Sequence, residues 1–263
     1  MMTLYPSDYP ATIFKYRALS GEYGRDAIEN AVLHHRLYWQ SPLAFNDPLD
    51  CNPVYYFGDN PKERREYIKG AVGRHLKGVP RHFRTKRRRE ILTTDPEVFA
   101  RRQKDSWQEF MIESAVTCFS QTSTNELMWA HYADSHRGVC LEFDNSEIGE
   151  GWCPFPVRYS EERPRINLTN INETETFQQS VLLKSDAWAY EQEYRLIEWR
   201  RPPGWREFDE SRLKAIILGA RVNEDDRNFV RDLVARKTNI VLREIQIDEG
   251  HFRLNVVDLD STT

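Results

Sequence analysis

The hydrophobic pattern along the chain breaks into short runs, some alternating and some at helical spacing. Thr12–Leu19, TIFKYRAL, opens β-branched and aromatic and predicts a strand. After the turn Ser20–Gly24, Ala27, Ile28, Ala31 and Val32 recur at helical spacing, which predicts a helix over Arg25–His35. Leu37–Gln40 reads as a short strand, and SPLAFNDPLD, with two prolines and Asn-Asp, as a turn. Two polar helices are predicted at Lys62–Val72 and Pro96–Glu113, joined by a basic connector containing Gly78 and Pro80. Ala115–Ser120 is a strand, and Thr124–Ala133 a helix with Thr124 as its N-cap. Further strands follow at Gly138–Phe143, Phe155–Tyr159, Glu193–Trp199 and Leu213–Leu218. Residues 160–185 are a polar loop with room for one helix. A helix at Glu224–Arg236 and a closing strand at Ile240–Ile247 complete the reading.

Strands outnumber helices and do not alternate with them regularly, so the expected class is α+β: mixed, mostly antiparallel sheets with flanking helices. A chain of 263 residues suits one elaborated domain, 1–263, with a basic helical insertion at about 60–113. No apolar run nears the ~20 residues that span a bilayer, so no membrane partner is expected. MMTLYPSDYP lacks the basic and apolar regions of a secretory leader. The four cysteines, Cys51, Cys118, Cys140 and Cys153, form no C-x-x-C pair, which points to a reducing cytoplasm.

Charge changes the picture locally. The net charge is −4, yet Lys62–Lys104 holds 15 Lys or Arg against 5 Asp or Glu. Its densest part is RTKRRR, with Arg84, Lys86, Arg87, Arg88 and Arg89, a candidate contact for DNA or RNA phosphates. The alternative is a solvated helical face with no specific partner.

Candidate chemistry gathers at strand ends. Tyr16 and Arg17 close the first strand, and Ser120 with Thr122 and Ser123 ends AVTCFS. Glu191 and Glu193 lead into EYRLIEW. His131 and Tyr132 form a fourth place and Asn46 of SPLAFNDP a fifth, as a loop that could line a ligand pocket. Each also has an ordinary reading as an ion pair, a turn or cap, a solvated face or a core group. Metal ligation is not expected, because no histidine has carboxylate or thiolate partners at ligand spacing. There is no G-x-S-x-G elbow, G-x-G-x-x-G turn or P-loop.

FKYRAL, LYWQSPLAFNDPLD, VTCFSQTSTNELMWAHYADSHRGVCLEFD and KSDAWAYEQEYRLIEW followed by IILGA resemble the block pattern of domain-of-unknown-function family 2971, from about residue 12 to 220. The block order is also similar to the ADP-ribosyltransferase superfamily, whose arginine-type members carry Arg, then Ser-Thr-Ser, then Glu-x-Glu. Ser-Gln-Thr-Ser stands here where Ser-Thr-Ser would be. That resemblance implies a split sheet and NAD as substrate, without a metal. It makes Glu193 the catalytic carboxylate and Glu191 the group that orients the acceptor. Arg17 would hold the diphosphate, with Lys15 or Tyr16 as neighbours able to take its position, and Ser120 would fix the ribose or amide end. Tyr132 would stack on nicotinamide, with Tyr16, Asn46 and His131 as further NAD contacts. The implied activity is transfer of ADP-ribose to a nucleic-acid or protein acceptor, or NAD glycohydrolysis, in a toxin or phage-defence setting. A binding module for nucleic acid or protein, without catalysis, is the alternative.

Overall fold

The structure is a computed structural model and describes residues 9–149 and 151–259. Met1–Asp8, on which most of the leader reading rests, lies outside the described residues.

Strands β1 (Thr12–Arg17) and β2 (Arg36–Trp39) flank helix α1 (Gly24–Leu33). Strand β3 (Val54–Tyr56) precedes three helices, α2 (Pro61–His75), α3 (Arg81–Thr93) and α4 (Pro96–Ile112). Next come β4 (Ala115–Ser120), α5 (Glu126–Tyr132) and β5 (Val139–Asp144). Short elements follow: β6 (Phe155–Pro156), β7 (Arg158–Ser160), β8 (Arg165–Asn167), α6 (Glu173–Val181) and β9 (Leu183–Ser185). The chain continues through β10 (Glu193–Glu198), β11 (Gly204–Glu207), β12 (Leu213–Leu218), α7 (Glu224–Val234), β13 (Val241–Ile247) and β14 (Leu254–Asp258). The α+β class holds, with a mostly antiparallel sheet. No helix among the described residues is long and apolar enough to cross a membrane.

The chain divides into two compact units. The first comprises the described residues of Met1–Ser41, Ser114–Val157 and Ala187–Thr263. It holds an eight-stranded sheet in the order β14-β13-β12-β5-β1-β4-β10-β6. Only β12 and β13 run parallel in it, with α7 as the crossover between them. On one face Ile13, Phe119, Leu141, Phe143 and Leu196 pack with Ile28, Ala31 and Val32 of α1 and Val230 and Leu233 of α7. On the other face Tyr16, Cys140 and Ile217 pack with Met128 and Trp129 of α5. Both faces are buried, so β4 and β5 read as continuous apolar runs rather than alternating ones.

The sheet is almost divided in two. β1 pairs with β5 over its whole length, and β10 with β4 likewise, but β1 meets β4 at a single register pair, Phe14 with Ser120. Beyond that pair β4 finds other partners. Gln40 bridges Val116 through two backbone bonds of 3.0 and 2.8 Å. The Lys15 amine donates to Thr117 Oγ1 at 2.7 Å and to the Cys118 carbonyl at 2.8 Å. A lysine therefore satisfies backbone that a strand leaves unpaired, as a buried carbonyl requires.

Two glycines allow backbones to touch beside this sheet. A Cβ at Gly138 would lie 2.1 Å from the Arg17 carbonyl oxygen, and one at Gly219 2.3 Å from that of His136.

The second unit comprises Pro42–Glu113 and Arg158–Asp186. It pairs β3 with β8 and β7 with β9, all parallel, and its core is Phe57, Ile68, Val72 and Leu168. Phe57 stacks on Phe99 of α4 at 4.0 Å between centroids. Asp50 and Lys184 form a buried ion pair at 3.6 Å.

Strands β3, β8, β9 and β11 have no counterpart in the sequence reading, and the structure departs from it in four further places. The basic connector is itself a helix, α3, because its residues are good helix formers and only Pro80, at the N-cap, interrupts. α5 is capped by Asn125, not Thr124: the Asn125 oxygen accepts from the Leu127 and Met128 amides at 2.9 and 3.1 Å, while the Thr124 hydroxyl pairs with that of Thr122. Phe155–Tyr159 divides around Val157 into β6 and β7. A further strand, β14, follows β13 through the Asp248–Arg253 turn and pairs with it antiparallel.

Candidate functional site

Register explains which side chains share a place. Phe14 of β1, Ser120 of β4 and Glu193 of β10 line up across three strands. Partnered residues share a face, and direction alternates along each strand. Ser120 and Glu193 are therefore on the face that α5 covers, and Tyr16, two residues from Phe14, joins them. Arg17, one residue further, is on the opposite face. It is half-buried, and among the described residues it forms no ion pair. Burial holds its pKa below the ordinary range. So Tyr16, Ser120 and Glu193 share a face, while Arg17 leaves β1 on the other, with its charge still felt by the Cys118 thiol.

Glu193 is buried and fully engaged. Arg195 lies two residues on, and thus on the same face. Its Nε donates to Oε1 of Glu193 at 2.7 Å and its Nη2 to Oε2 at 2.9 Å. Arg195 is 0% exposed, which makes this a buried, bidentate ion pair. The Cys118 thiol, across β4 from Arg195, also bonds the Glu193 carboxylate. Burial, then the Glu193 charge, pushes that thiol well above its usual range.

Glu191 ends a 3-10 turn, Asp186–Glu191, and is also buried. The Tyr132 hydroxyl donates to its Oε1 at 2.6 Å. Ser120 Oγ donates to the Glu191 carbonyl at 2.6 Å and accepts from the Thr122 amide at 3.2 Å. Between the two glutamates Gln192 adopts a left-handed φ of +46°, and it is exposed while both neighbours are buried. Such a backbone costs roughly 1–2 kcal/mol in a non-glycine residue, and conformations of this kind cluster at functional sites. The surrounding loop is fixed: Tyr16 donates to the Thr122 carbonyl and Trp129 Nε1 to the Ser123 carbonyl, each at 2.8 Å.

His131, exposed on α5, stands among aromatic rings. Its ring centroid lies 6.3 Å from Tyr132, 6.2 Å from Trp188 and 6.5 Å from Tyr190. This is an aromatic wall beside the Tyr132–Glu191 bond. Asn46 belongs to the second unit, where it is exposed.

The basic residues of α3 do not act as one set. Arg84 and Arg88 are partly buried, and Arg88 Nη2 donates to the Lys69 carbonyl on α2 at 3.4 Å. Arg87 pairs with Glu90 at 3.2 Å. Lys86 and Arg89 instead line an open groove with Arg81, His82 and Thr85.

The elements of this site coincide with a known sequence family. Residues 128–196 match the family described as "Protein of unknown function (DUF2971)". The matched span runs from α5 to β10 and so contains Tyr132, Glu191, Glu193 and Arg195. No curated protein and no solved structure matches the chain.

Sequence reasoning placed Arg195 in the polar run 190–195 and Lys15 beside Arg17, but gave neither the partner it has in the structure. A signal for Arg195 was present: Glu-x-Arg on one strand puts both side chains on one face. Nothing comparable marked Lys15, whose role depends on β1 and β4 parting.

Proposed function

We propose that the first unit carries out NAD-dependent ADP-ribosyl transfer, or the related hydrolysis of NAD, with Glu193, Glu191 and Tyr132 as its working groups. The observation that carries the reading is the pair of buried glutamates on either side of a left-handed Gln192, one locked as a carboxylate and one bonded to a tyrosine hydroxyl. The near-division of the sheet between β1 and β4 supports it as well.

The roles follow from the chemistry. When the bond between ribose C1′ and the nicotinamide nitrogen breaks, the electron pair leaves with nicotinamide and positive charge develops on the sugar, as in glycoside hydrolysis. The ionised Glu193 stabilises that charge. The acceptor forms the new bond to C1′ with its own lone pair, and Glu191 takes its proton as general base, in contact with Tyr132. With water as acceptor the product is free ADP-ribose. The aromatic wall of His131, Trp188 and Tyr190 offers flat surfaces to nicotinamide. Ser120 holds the loop to the Glu191 turn, and Arg17 has no part in this arrangement. A cytoplasmic setting, with Cys51, Cys118, Cys140 and Cys153 reduced, belongs to the same proposal.

A second reading, a binding module without turnover, is favoured by one observation: Arg195 already occupies both oxygens of Glu193. Release of nicotinamide from NAD separates the two. The first reading expects release by the wild type, reduced at least ~100-fold in Glu191→Gln, in keeping with the usual weight of a general base. Absence of release by the wild type gives the second.

A further inference from the structure

We infer that one face of α3, formed by Arg81, Lys86 and Arg89 with His82 and Thr85, is a binding site for the sugar-phosphate backbone of nucleic acid. This site is in the second unit and does not depend on any activity of the first.

Three features of α3 carry the inference. The first is its unpaired charge. Several arginines of the first unit meet carboxylates: Arg25 with Asp226, Arg206 with Glu198, Arg227 with Glu244, and Arg243 with Glu142 and Asp258. On α3 six Lys or Arg stand within Arg81–Arg89, and among the described residues only Arg87 of them has a carboxylate partner. Arg81, Lys86 and Arg89 are exposed and form no ion pair among the described residues. The second is their alignment. Successive helical residues turn by about 100°, so positions 81, 82, 85, 86 and 89 fall within one arc. These five residues line a shallow groove of about 590 Å³ that contains no carboxylate. Arg81, Thr85 and Arg89 rise by about 6 Å at each step, roughly 12 Å in all. One strand of a B-form duplex carries three to four phosphates over that axial length.

The third feature is that α3 departs from what would stabilise a helix. It has no buried residue and no side-chain N-cap. Arg81 and Arg84 sit in its first turn, where the helix dipole disfavours cations, and no acidic residue offsets them there. Like charges face each other at Arg84 and Arg88, which is also unfavourable. Local violations of this kind mark places kept for function. A polyanion on the groove would reverse the charge penalty. The composition argues against a lipid surface: the exposed Phe83 and Leu92 are nine residues apart, hence half a turn out of phase, and make no apolar stripe.

The test is fluorescence anisotropy of the full chain with labelled 20-base-pair DNA, single-stranded DNA and single-stranded RNA, across a salt series. The wild type binds at least one of these at low salt, with a log–log salt slope set by its phosphate contacts. Arg81→Glu/Lys86→Glu/Arg89→Glu loses at least thirtyfold in affinity, and its slope on duplex falls by about 2 to 3, near 0.9 per contact. Arg81→Lys/Arg89→Lys keeps both. A variant of equal charge change in the first unit, Arg200→Glu/Arg236→Glu/Arg253→Glu, loses less than threefold. The groove residues bury nothing, so circular dichroism should be unchanged in every variant. The inference is overturned if the wild type fails to bind at 20 mM salt. Equal losses in the groove and control variants overturn it too. So does binding to phosphatidylserine vesicles or polyglutamate as tight as binding to nucleic acid.

Discussion

Lys15 should make stability depend on pH in an unusual direction. Lys15 is 7% exposed, and burial, helped by the charge of Arg17, lowers the pKa of its amine from 10.5 to about 7. The unfolded chain holds that proton up to about pH 10, whereas the folded chain gives it up near 7. Between these values the unfolded state binds more protons, so stability rises with pH, by about 1.4 kcal/mol per unit where the difference is complete. From pH 7 to pH 8.5 the rise works out to about 1.6 kcal/mol. Other groups limit the window. Burial raises the Cys118 and Cys140 thiols and the Tyr16 phenol. They keep protons in the folded state that the unfolded state sheds, so stability falls above about pH 9. The expected curve therefore climbs from pH 7 and turns over near pH 8.5 to 9. In Lys15→Met the charged form is gone, and the climb with it. The absolute gain of that variant is smaller than the ~4 kcal/mol penalty at pH 7, because the bonds to Thr117 and the Cys118 carbonyl are lost, each worth about 1 kcal/mol. Urea denaturation at half-unit steps from pH 6.5 to 9.5 measures both curves. A wild type flat between pH 7 and 8.5, or a variant that climbs equally, refutes the reasoning.

Two further predictions concern stability. Arg195→Met leaves the buried Glu193 charge without its guanidinium and should cost about 3–5 kcal/mol, most of it recovered when Glu193→Leu is added; urea midpoints for the two variants decide, and a single variant as stable as the wild type contradicts the ion-pair account. Gly219→Ala drives a Cβ to 2.3 Å from the His136 carbonyl and should lose about 1–3 kcal/mol. Gly73→Ala, in α2 with nothing within 4 Å, should gain up to about 1 kcal/mol; thermal melts of the two should shift in opposite senses.

Hydrophobic periodicity located most of the sheet, because β1, β4, β5, β10 and β12 are dense apolar runs that bury both faces. It missed β14, where LNVVD is short and follows a polar turn. It passed over α3 as a helix because the segment has no apolar face to recur. The partnership of Ser120 with Glu193 was open to a guess from strand ends, but the side on which Arg17 falls was not. That depends on register between β1 and β4, which are distant in sequence, and one residue of register reverses every face. The same applies to Tyr132 and Glu191, 59 residues apart, whose bond needs α5 laid over the sheet. The ion pair with Arg195 also changes which glutamate is the cleaner probe. Glu193→Gln would remove the charge that faces a buried guanidinium, whereas Glu191→Gln keeps an oxygen for the Tyr132 hydroxyl.

NAD labelled in its adenylate phosphate therefore gives the most direct test, incubated with the wild type and with Glu191→Gln in the presence of DNA, RNA or cell lysate. The account predicts that label passes to an acceptor, or to free ADP-ribose, with the wild type and at least ~100-fold more slowly with the variant. NAD left intact by the wild type under every condition, or turned over equally by both proteins, would contradict it.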